Sequence, residues 1–308
     1  MIEAFIPVTR ENFNAKAYLL ANKDVAAAGV DPHEHFETHG YKENRLQINP
    51  ELIGIGEYRA RKFNRFKDAL LLPYGLNLVG FPALIGSEHF DLISYQSESA
   101  NGELGFFRSE IVDNPTKNYL EIGCGFRELH HENCLYLEVY PSISADIIAG
   151  TDCTYPIKSG SMDGIGCFAV LEHTRKPWKV VDEIHRILKK DGKVFIDWPF
   201  LQPVHGYPSH YFNATREGLS SIFSDAGFRI DEAKTYHFQG PDYTIAWILG
   251  KFIRDLPSDK QARFMEMSLA ELLGKGPSGD FWRSILDGLP DKTISEFAAG
   301  NCLIATKG

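Results

Sequence analysis

Apolar runs alternate with amphipathic stretches from residue 118 onward, and this alternation is the strongest pattern in the chain. Runs of strand length are separated by glycine turns or by stretches of helical spacing. The predicted strands are 119–122, 134–139, 163–168, 193–197, 228–230 and 301–306, and the predicted helices are 178–189 and 215–226. Such alternation is typical of a doubly wound α/β fold, in which helices cover both faces of a mainly parallel sheet.

Residues 1–50 follow a different pattern, which predicts a small helical module. His33, His35 and His39 could bind a metal ion, but the acidic or cysteine partners of a zinc site are missing at ligand spacing. We interpret these histidines as exposed helix residues and predict no metal site. The module resembles a short helical unit of bacterial surface-associated proteins, including proteins of glycan assembly.

Two further regions flank or interrupt the main domain, which comprises residues 116–308. We predict that residues 51–115 form a connecting region that contains a basic amphipathic helix at 57–72. We interpret its charges as a solvated face, with a membrane or nucleic-acid surface as the alternative. Helical spacing across 239–298 predicts a helical insertion before the last strand. This insertion is a candidate lid or dimer surface, so the formation of a homo-oligomer is left as an alternative.

Charge and cysteine content narrow the partners and the compartment. The net charge of −9 argues against the nucleic-acid backbone as the main partner, because proteins that bind it usually carry basic patches. The five cysteines include no Cys-x-x-Cys pair and are odd in number, which favours a reduced, cytoplasmic protein. We expect no signal peptide and no transmembrane segment, since a membrane span needs about 20 apolar residues. Peripheral membrane contact stays an alternative.

A Gly-x-Gly turn directly after the first predicted strand is the most specific chemical signal. Its glycines are Gly123 and Gly125, and the next strand carries Glu138. Glycine lets the backbone approach a ligand closely, and a carboxylate on the second strand can accept hydrogen bonds from both ribose hydroxyls. This combination predicts the nucleoside-binding start of a doubly wound sheet.

The motifs that follow this turn resemble class I S-adenosylmethionine-dependent methyltransferases over residues 118–235. The motifs are 145–152, 155–157, 161–163, 169–173, the helix 178–189 and Asp191-Gly192. The resemblance implies a seven-stranded, mainly parallel sheet and S-adenosylmethionine as the cofactor. A nicotinamide dehydrogenase fits these motifs less well.

A second group of motifs resembles the methyltransferase branch found in bacterial gene clusters for surface sugars. Residues 199–205 read Pro-Phe-Leu-Gln-Pro-Val-His, and they are followed by Gly240-Pro241 and then by Ala246-Trp247. This resemblance implies methyl transfer to a hydroxyl group of a sugar or glycan. The implied partner is therefore a saccharide or glycan acceptor.

The resemblance also implies which residues bind the cofactor: Glu121, Gly123, Cys124, Gly125, Glu138, Val139, Asp152, Cys153, Phe168 and Ala169. The first glycine turn would shape the pocket for the methionine part, and Glu138 would bind the ribose. Asp152 would accept the adenine amino proton, beside the Cys153 amide. Phe168 and Ala169 would lie near the sulfonium. The alternatives are a surface acid for Glu138 and a turn cap for Asp152.

The chain departs from the usual pattern at three places. Arg127 replaces the third glycine of the Gly-x-Gly-x-Gly run. The link 126–133 between the first two strands is too short for a crossover helix. Where the resembled branch has Asp-Tyr followed by an arginine, this chain has His210-Tyr211 followed by Asn213.

Transfer of a methyl group to a hydroxyl requires a base, and a histidine of near-neutral pKa suits that task. We predict His205 as the general base, with His210 and His173 as the other candidates. A metal-assisted variant that uses Asp197 with histidines is a further alternative. The predicted acceptor-binding residues are Trp198, Gln202, Tyr207 and Tyr211.

Three hypotheses about function follow from these patterns. The leading one is an O-methyltransferase that acts on a sugar or a surface glycan. The second is a small-molecule or lipid methyltransferase, for which the apolar helix at 243–256 would form the acceptor pocket or a membrane contact. The third is a non-catalytic module of the same fold that binds a cofactor or a partner.

Overall fold

The computed structural model describes residues 1–53, 57–71, 75–76, 82–85, 104–140, 142–206, 209–275 and 279–297. The strands are β1 (Ile2–Glu3), β2 (Phe5–Pro7), β3 (Leu46–Ile48), β4 (Gly75–Leu76), β5 (Pro82–Ile85), β6 (Tyr119–Ile122), β7 (Leu129–His130), β8 (Cys134–Glu138), β9 (Ile147–Ile148), β10 (Met162–Phe168) and β11 (Leu188–Asp197). The α-helices are α1 (Ala15–Ala21), α2 (Lys23–Ala28), α3 (Pro32–His35), α4 (Glu57–Phe66), α5 (Gly105–Asp113), α6 (Pro177–Ile187), α7 (Arg216–Asp225), α8 (Pro241–Asp255), α9 (Ser258–Met265), α10 (Leu269–Leu273), α11 (Asp280–Leu286) and α12 (Asp291–Glu296). A π-helical turn occupies Phe36–Gly40, and 3₁₀ turns occupy Pro50–Leu52, Leu171–His173 and His237–Gln239.

These elements form two compact units. The first unit comprises residues 1–198 with 222–229, and the second comprises residues 199–221 with 230–308. The described strands all belong to the first unit, whereas α8 to α12 belong to the second. The domain boundaries proposed from the sequence stay predictions.

The main sheet runs in the order β11-β10-β6-β8-β9-β5-β4. The neighbouring pairs from β11 to β5 are all parallel, and β4 pairs antiparallel with β5. All four residues of the interior strand β6 are buried, as expected for a parallel strand covered on both faces. The predicted mainly parallel α/β sheet is confirmed.

Aromatic packing joins α5 to the middle of this sheet. The Phe107 ring centroid lies 5.4 Å from that of Phe168 and 6.1 Å from that of Tyr119. These rings are buried in one cluster with Ile111 and Tyr136. Helix α6 buries a stripe of apolar side chains of its own, at Val180, Val181, Ile184 and Ile187. Apolar burial therefore fixes the strand ends that carry the predicted site.

The strand predicted at 228–230 is wrong, because these residues lie outside any strand. Gly227, at φ +98°, ends α7. The Phe228 ring then packs 5.1 Å from His185 and 5.3 Å from Phe223, and this contact overrides the strand propensity. The strand predicted at 301–306 lies outside the described residues, so the predicted set of seven strands is not confirmed.

The N-terminal module contains a small sheet that the helical prediction missed. Strands β2 and β3 pair antiparallel, and β1 pairs antiparallel with β7 of the short link between β6 and β8. The Asp31 side chain caps α3 by accepting hydrogen bonds from the His33 and Glu34 amides. His35 Nδ1 lies 3.0 Å from the Tyr18 hydroxyl oxygen. The link that is too short for a helix thus anchors the module through β7.

Helix α4 is not the fully solvated basic helix that its composition indicated. Arg59 and Lys62 are completely buried, and both contact the buried carboxylate of Asp146. Arg59 Nη2 also donates to the Ile143 carbonyl at 2.9 Å, and Asp146 Oδ2 accepts from the Tyr136 amide at 3.0 Å. Arg59 and Lys62 can therefore lie in the core because the buried Asp146 carboxylate, next to β9, compensates their charge.

Among the described helices, none combines the length and the apolar character needed to cross a bilayer.

Candidate active site

The turn after β6 requires glycine at two positions. Gly123 and Gly125 have φ of +67° and +55°, in the left-handed region that favours glycine. A Cβ atom on Gly123 would lie 2.2 Å from Val170 Cγ2. The Gly123 amide donates to the Leu137 carbonyl at 2.8 Å. The turn therefore packs against the segment after β10 on one side and against β8 on the other.

Glu138 ends β8 as a buried acid that two backbone amides hold in place. Its Oε2 accepts from the Gly125 amide and its Oε1 accepts from the Val139 amide, each at 2.8 Å. The alternative of a surface acid is therefore wrong, because only 6% of the residue is exposed. Each carboxylate oxygen can accept a second hydrogen bond, which fits the pair of hydroxyls on a ribose.

Asp152 supplies an acceptor that the described residues leave unused. Its Oδ1 is buried and has no hydrogen-bond partner among them. A buried acceptor in this state is costly, so it indicates a missing donor. The adenine amino group predicted to bind here is such a donor. Beside it, Cys153 Sγ lies 3.0 Å from the Gly150 carbonyl oxygen.

Arg127, read in the sequence as a lost glycine, forms a buried ion pair with Glu121. Arg127 Nε donates to Glu121 Oε2 at 3.0 Å, and Nη2 contacts Oε1. Both side chains are buried. Glu121, the acid predicted to shape the methionine pocket, is thus held by two contacts with Arg127 that the sequence did not predict. The sequence signal for this ion pair was a positively charged residue, Arg127, six positions after an acid at the end of a strand, Glu121.

Among the remaining predicted cofactor residues, Cys124 and Phe168 bury their side chains in the core. The Phe168 ring belongs to the core cluster with Phe107. Cys124 is fully buried, and burial raises the pKa of its thiol. Ala169 has φ +52°, unusual for a residue with a Cβ, and its amide donates to the Asp197 carbonyl at 2.9 Å. Such strain commonly marks a functional turn.

Glu172, which the sequence analysis did not select, is the most unusual acid in the first unit. It is fully buried, and neither carboxylate oxygen has a hydrogen-bond partner among the described residues. His173 Nε2 lies 3.6 Å from Oε1, outside hydrogen-bonding distance. Burial raises the pKa of Glu172 to about 8, and the Asp197 carboxylate acts in the same direction. Glu172 is therefore largely protonated at neutral pH.

In the second unit, His205 has the protonation state of a general base. Its Nδ1 lies 2.8 Å from the Pro203 carbonyl oxygen, so Nδ1 carries the proton and Nε2 carries the lone pair. Burial lowers the pKa of His205, and the neighbouring His210 adds to this effect. The ring centroid lies 4.8 Å from that of Trp247. His205 is thus a neutral imidazole with a fixed tautomer.

Both ring nitrogens of His210 are committed to other groups. Its Nδ1 accepts from the His205 amide at 3.3 Å, and its Nε2 contacts Asn213 Oδ1. No lone pair is left to take a proton from an acceptor, which disfavours His210 as the base. The positions at which the chain departs from the resembled branch, 210 and 213, are therefore partners of each other.

The predicted acceptor-binding residues divide between the two units. Trp198 ends the first unit, next to β11, and His173 belongs to the same unit. Gln202 and Tyr211 belong to the second unit, where Gln202 Nε2 donates to Gln239 Oε1 at 3.1 Å. Tyr207 lies outside the described residues. The structure thus brings His205, His210 and Gln202 into one hydrogen-bonded loop.

Residues 120–196 match the family model described as "Methyltransferase domain". No curated protein matches the chain. Among solved structures, the YcgJ protein of Bacillus subtilis is 17% identical over 36% of this chain and 61% of that one, with a TM-score of 0.28. Phosphoethanolamine N-methyltransferase 2 of Haemonchus contortus is 15% identical over 62% of this chain and 51% of that one, with a TM-score of 0.33. The chain therefore spans less than two thirds of the length of both.

The [4+2]-cyclase SpnF is 14% identical over 61% of this chain and 76% of that one, with a TM-score of 0.33. The family match covers β6 to β11, including the glycine turn and Glu138. The prediction of an S-adenosylmethionine-dependent methyltransferase domain is confirmed by this match.

Replacing Glu138 by alanine should weaken binding of S-adenosylmethionine by about 1.5–3 kcal/mol, the range for hydrogen bonds to a charged group. The variant removes the carboxylate that would hold the ribose. Calorimetry on the purified protein measures the change.

Glu128→Ala, which removes an exposed acid in the neighbouring link, is the matched control and should bind normally. An unchanged affinity in Glu138→Ala would move the ribose contact elsewhere. Thermal unfolding of both variants shows whether the turn at Gly125 survives the loss of its acceptor.

Proposed function

We propose that this chain, whose residues 120–196 form a methyltransferase domain, is an S-adenosylmethionine-dependent O-methyltransferase that acts on a hydroxyl of a sugar or glycan. The observation that carries the proposal is the state of His205. A half-buried imidazole, whose Nδ1 proton is held by a carbonyl oxygen and whose pKa is lowered mainly by burial, presents Nε2 as a base. Oxygen acceptors need such a base because a neutral hydroxyl is a weak nucleophile.

The reaction assigns a clear role to each group. S-adenosylmethionine, when bound, supplies a methyl carbon activated by the sulfonium. His205 Nε2 would take the proton of the acceptor hydroxyl while that methyl group is transferred to the hydroxyl oxygen, with S-adenosylhomocysteine as the leaving group. The hydrogen bond from Nδ1 to the Pro203 carbonyl stabilises the imidazolium that results. Glu138 and Asp152 would hold the ribose and the adenine.

The loop around His205 supports a saccharide as the acceptor. Phe200 and Tyr211 expose 51% and 43% of their surfaces, and the same loop carries the polar residues Gln202 and Asn213. A sugar presents an apolar ring face and several hydroxyls, so it needs both kinds of surface. The resemblance of residues 199–205 to the surface-sugar branch points in the same direction.

A lipid or an apolar small molecule is the second candidate acceptor. Helix α8 exposes apolar side chains over two turns, at Tyr243, Ile245, Trp247, Ile248 and Leu249. An apolar acceptor would bind to such a surface. The two candidates therefore predict different transfer products.

Incubation with methyl-labelled S-adenosylmethionine and separate panels of sugars, lipids and aromatic alcohols tests the proposal. We expect label in the saccharide panel and a methyl ether as the product. Glu138→Ala serves as the control, because its transfer should fall with its cofactor affinity. Label found only in lipids or aromatics would contradict the saccharide assignment.

A further inference from the structure

The loop that carries His205 contains a hydrogen-bonded series in which each contact determines the next. The Asn213 amide nitrogen donates to the Gln202 carbonyl at 3.1 Å. Because a carbonyl only accepts, this contact fixes the orientation of the Asn213 amide and directs Oδ1 to His210 Nε2. His210 Nε2 must then carry the proton, which leaves the lone pair on Nδ1. That lone pair accepts from the His205 amide at 3.3 Å.

Three further contacts hold the His205 ring at the end of this series. The His205 and His210 rings meet edge to face, with centroids 4.6 Å apart and planes at 76°. Trp247 of α8 packs on His205 at 4.8 Å. The Pro203 carbonyl binds Nδ1. His205 is a titratable group that lies against His210.

We propose that His210 and Asn213 are positioning residues that hold His205 in place as the base, Asn213 by fixing the tautomer of His210 and His210 by anchoring the His205 amide. The inference rests on the proposed function, in which His205 takes the acceptor proton. His210 itself exchanges no proton with the acceptor. The His205 amide lies in an irregular loop, and the His210 ring nitrogen supplies the hydrogen-bond acceptor that a backbone carbonyl supplies in a helix or strand.

A pair of His210 variants separates the two nitrogen contacts. The side-chain oxygen of asparagine can take the place of Nδ1, so His210→Asn keeps an acceptor for the His205 amide. Glutamine reaches the place of Nε2 instead, so His210→Gln keeps a partner for Asn213 and loses that acceptor. We expect His210→Gln to lower kcat by about 10–100-fold, since small misplacements of a catalytic group cost up to about 10²-fold. KM should change little.

His210→Asn should recover most of the turnover that His210→Gln loses. Equal losses in the two variants would overturn the inference, because the ring would then act only by filling space. Wild-type turnover in both would overturn it as well. If His205→Ala is itself fully active, the proposed function fails instead, so the two failures are distinguishable.

A negative charge at position 213 tests the tautomer of His210 directly, and the measurement needs no methyl-acceptor substrate. Asn213→Asp places a carboxylate beside His210 and favours the imidazolium, which carries a proton on both nitrogens. Nδ1–H would then oppose the His205 N–H. In full-length protein with ¹⁵N-labelled histidine, NMR should show the Nε2–H tautomer for wild-type His210 and the doubly protonated ring in Asn213→Asp at neutral pH.

The same variant should shift the acid limb of turnover upward by roughly one to two pH units, the usual effect of a neighbouring opposite charge. Asn213→Ser adds no charge, so His210 should not become doubly protonated in that variant and the limb should not move upward, although the loss of Oδ1 should still lower turnover. An Nδ1–H tautomer for His210 in the wild-type protein, or an unchanged acid limb in Asn213→Asp, would refute the positioning role.

Discussion

Replacing His205 by alanine should lower turnover by about 10²–10⁴-fold, the range for loss of a general base, while cofactor affinity stays nearly constant. Without Nε2, the acceptor proton must pass to water. Because burial lowers the pKa of His205 below its ordinary value of 6.5, the wild-type protein should keep its base form, and its turnover, at pH values below 6.5. Steady-state kinetics as a function of pH measure both effects.

His237→Ala is the matched control, because it removes an exposed histidine of the second unit and should leave turnover unchanged. Full activity in His205→Ala combined with loss of activity in His173→Ala would place the base in the first unit. Thermal unfolding of His205→Ala distinguishes lost chemistry from a lost contact with Trp247.

Replacing Glu172 by glutamine should stabilise the folded protein above neutral pH by an amount on the order of a few kcal/mol. The folded state raises the pKa of Glu172 from 4.5 to about 8, so between these values the folded protein binds more protons than the unfolded chain. Stability contributed by the protonated acid is complete below pH 4.5 and is lost as pH rises towards 8. Glutamine is neutral throughout and removes this loss.

Denaturant unfolding at pH 5 and pH 8 measures the effect. The two proteins should be similar at pH 5, and Glu172→Gln should be the more stable at pH 8. Glu128→Gln, at an exposed acid, controls for the general loss of one negative charge. Equal stability of wild type and Glu172→Gln at pH 8 would mean that Glu172 is ionised and has a cationic partner.

Short-range patterns predicted the glycine turn after β6 and an acid at the end of β8. Gly123, Gly125 and Glu138 are close in sequence, and their roles follow from backbone freedom and strand alternation. The observed hydrogen bond between the Gly125 amide and Glu138 is the direct result of that spacing. The mainly parallel sheet follows from the same kind of local pattern.

Partnerships between distant residues could not be predicted in this way. Arg59 and Asp146 are 87 positions apart, and no local pattern indicates that a helix of surface composition carries its charges into the core. Glu172 was missed because its unusual state depends on burial, which a sequence does not display. The strand expected at 228–230 failed for a similar reason, since the ring of His185 competes for Phe228.

The contact of Arg59 and Lys62 with Asp146 limits how far the protein can be shortened. A fragment restricted to the family-matched residues 120–196 would keep Asp146 and lose both cations, which belong to α4. An uncompensated buried charge costs about 3–5 kcal/mol, a large part of the 5–15 kcal/mol that typically holds a domain folded. A fragment intended to fold on its own should therefore include α4. This helix lies outside the family-matched residues 120–196, so the boundary of the family match is not the boundary of the folding unit.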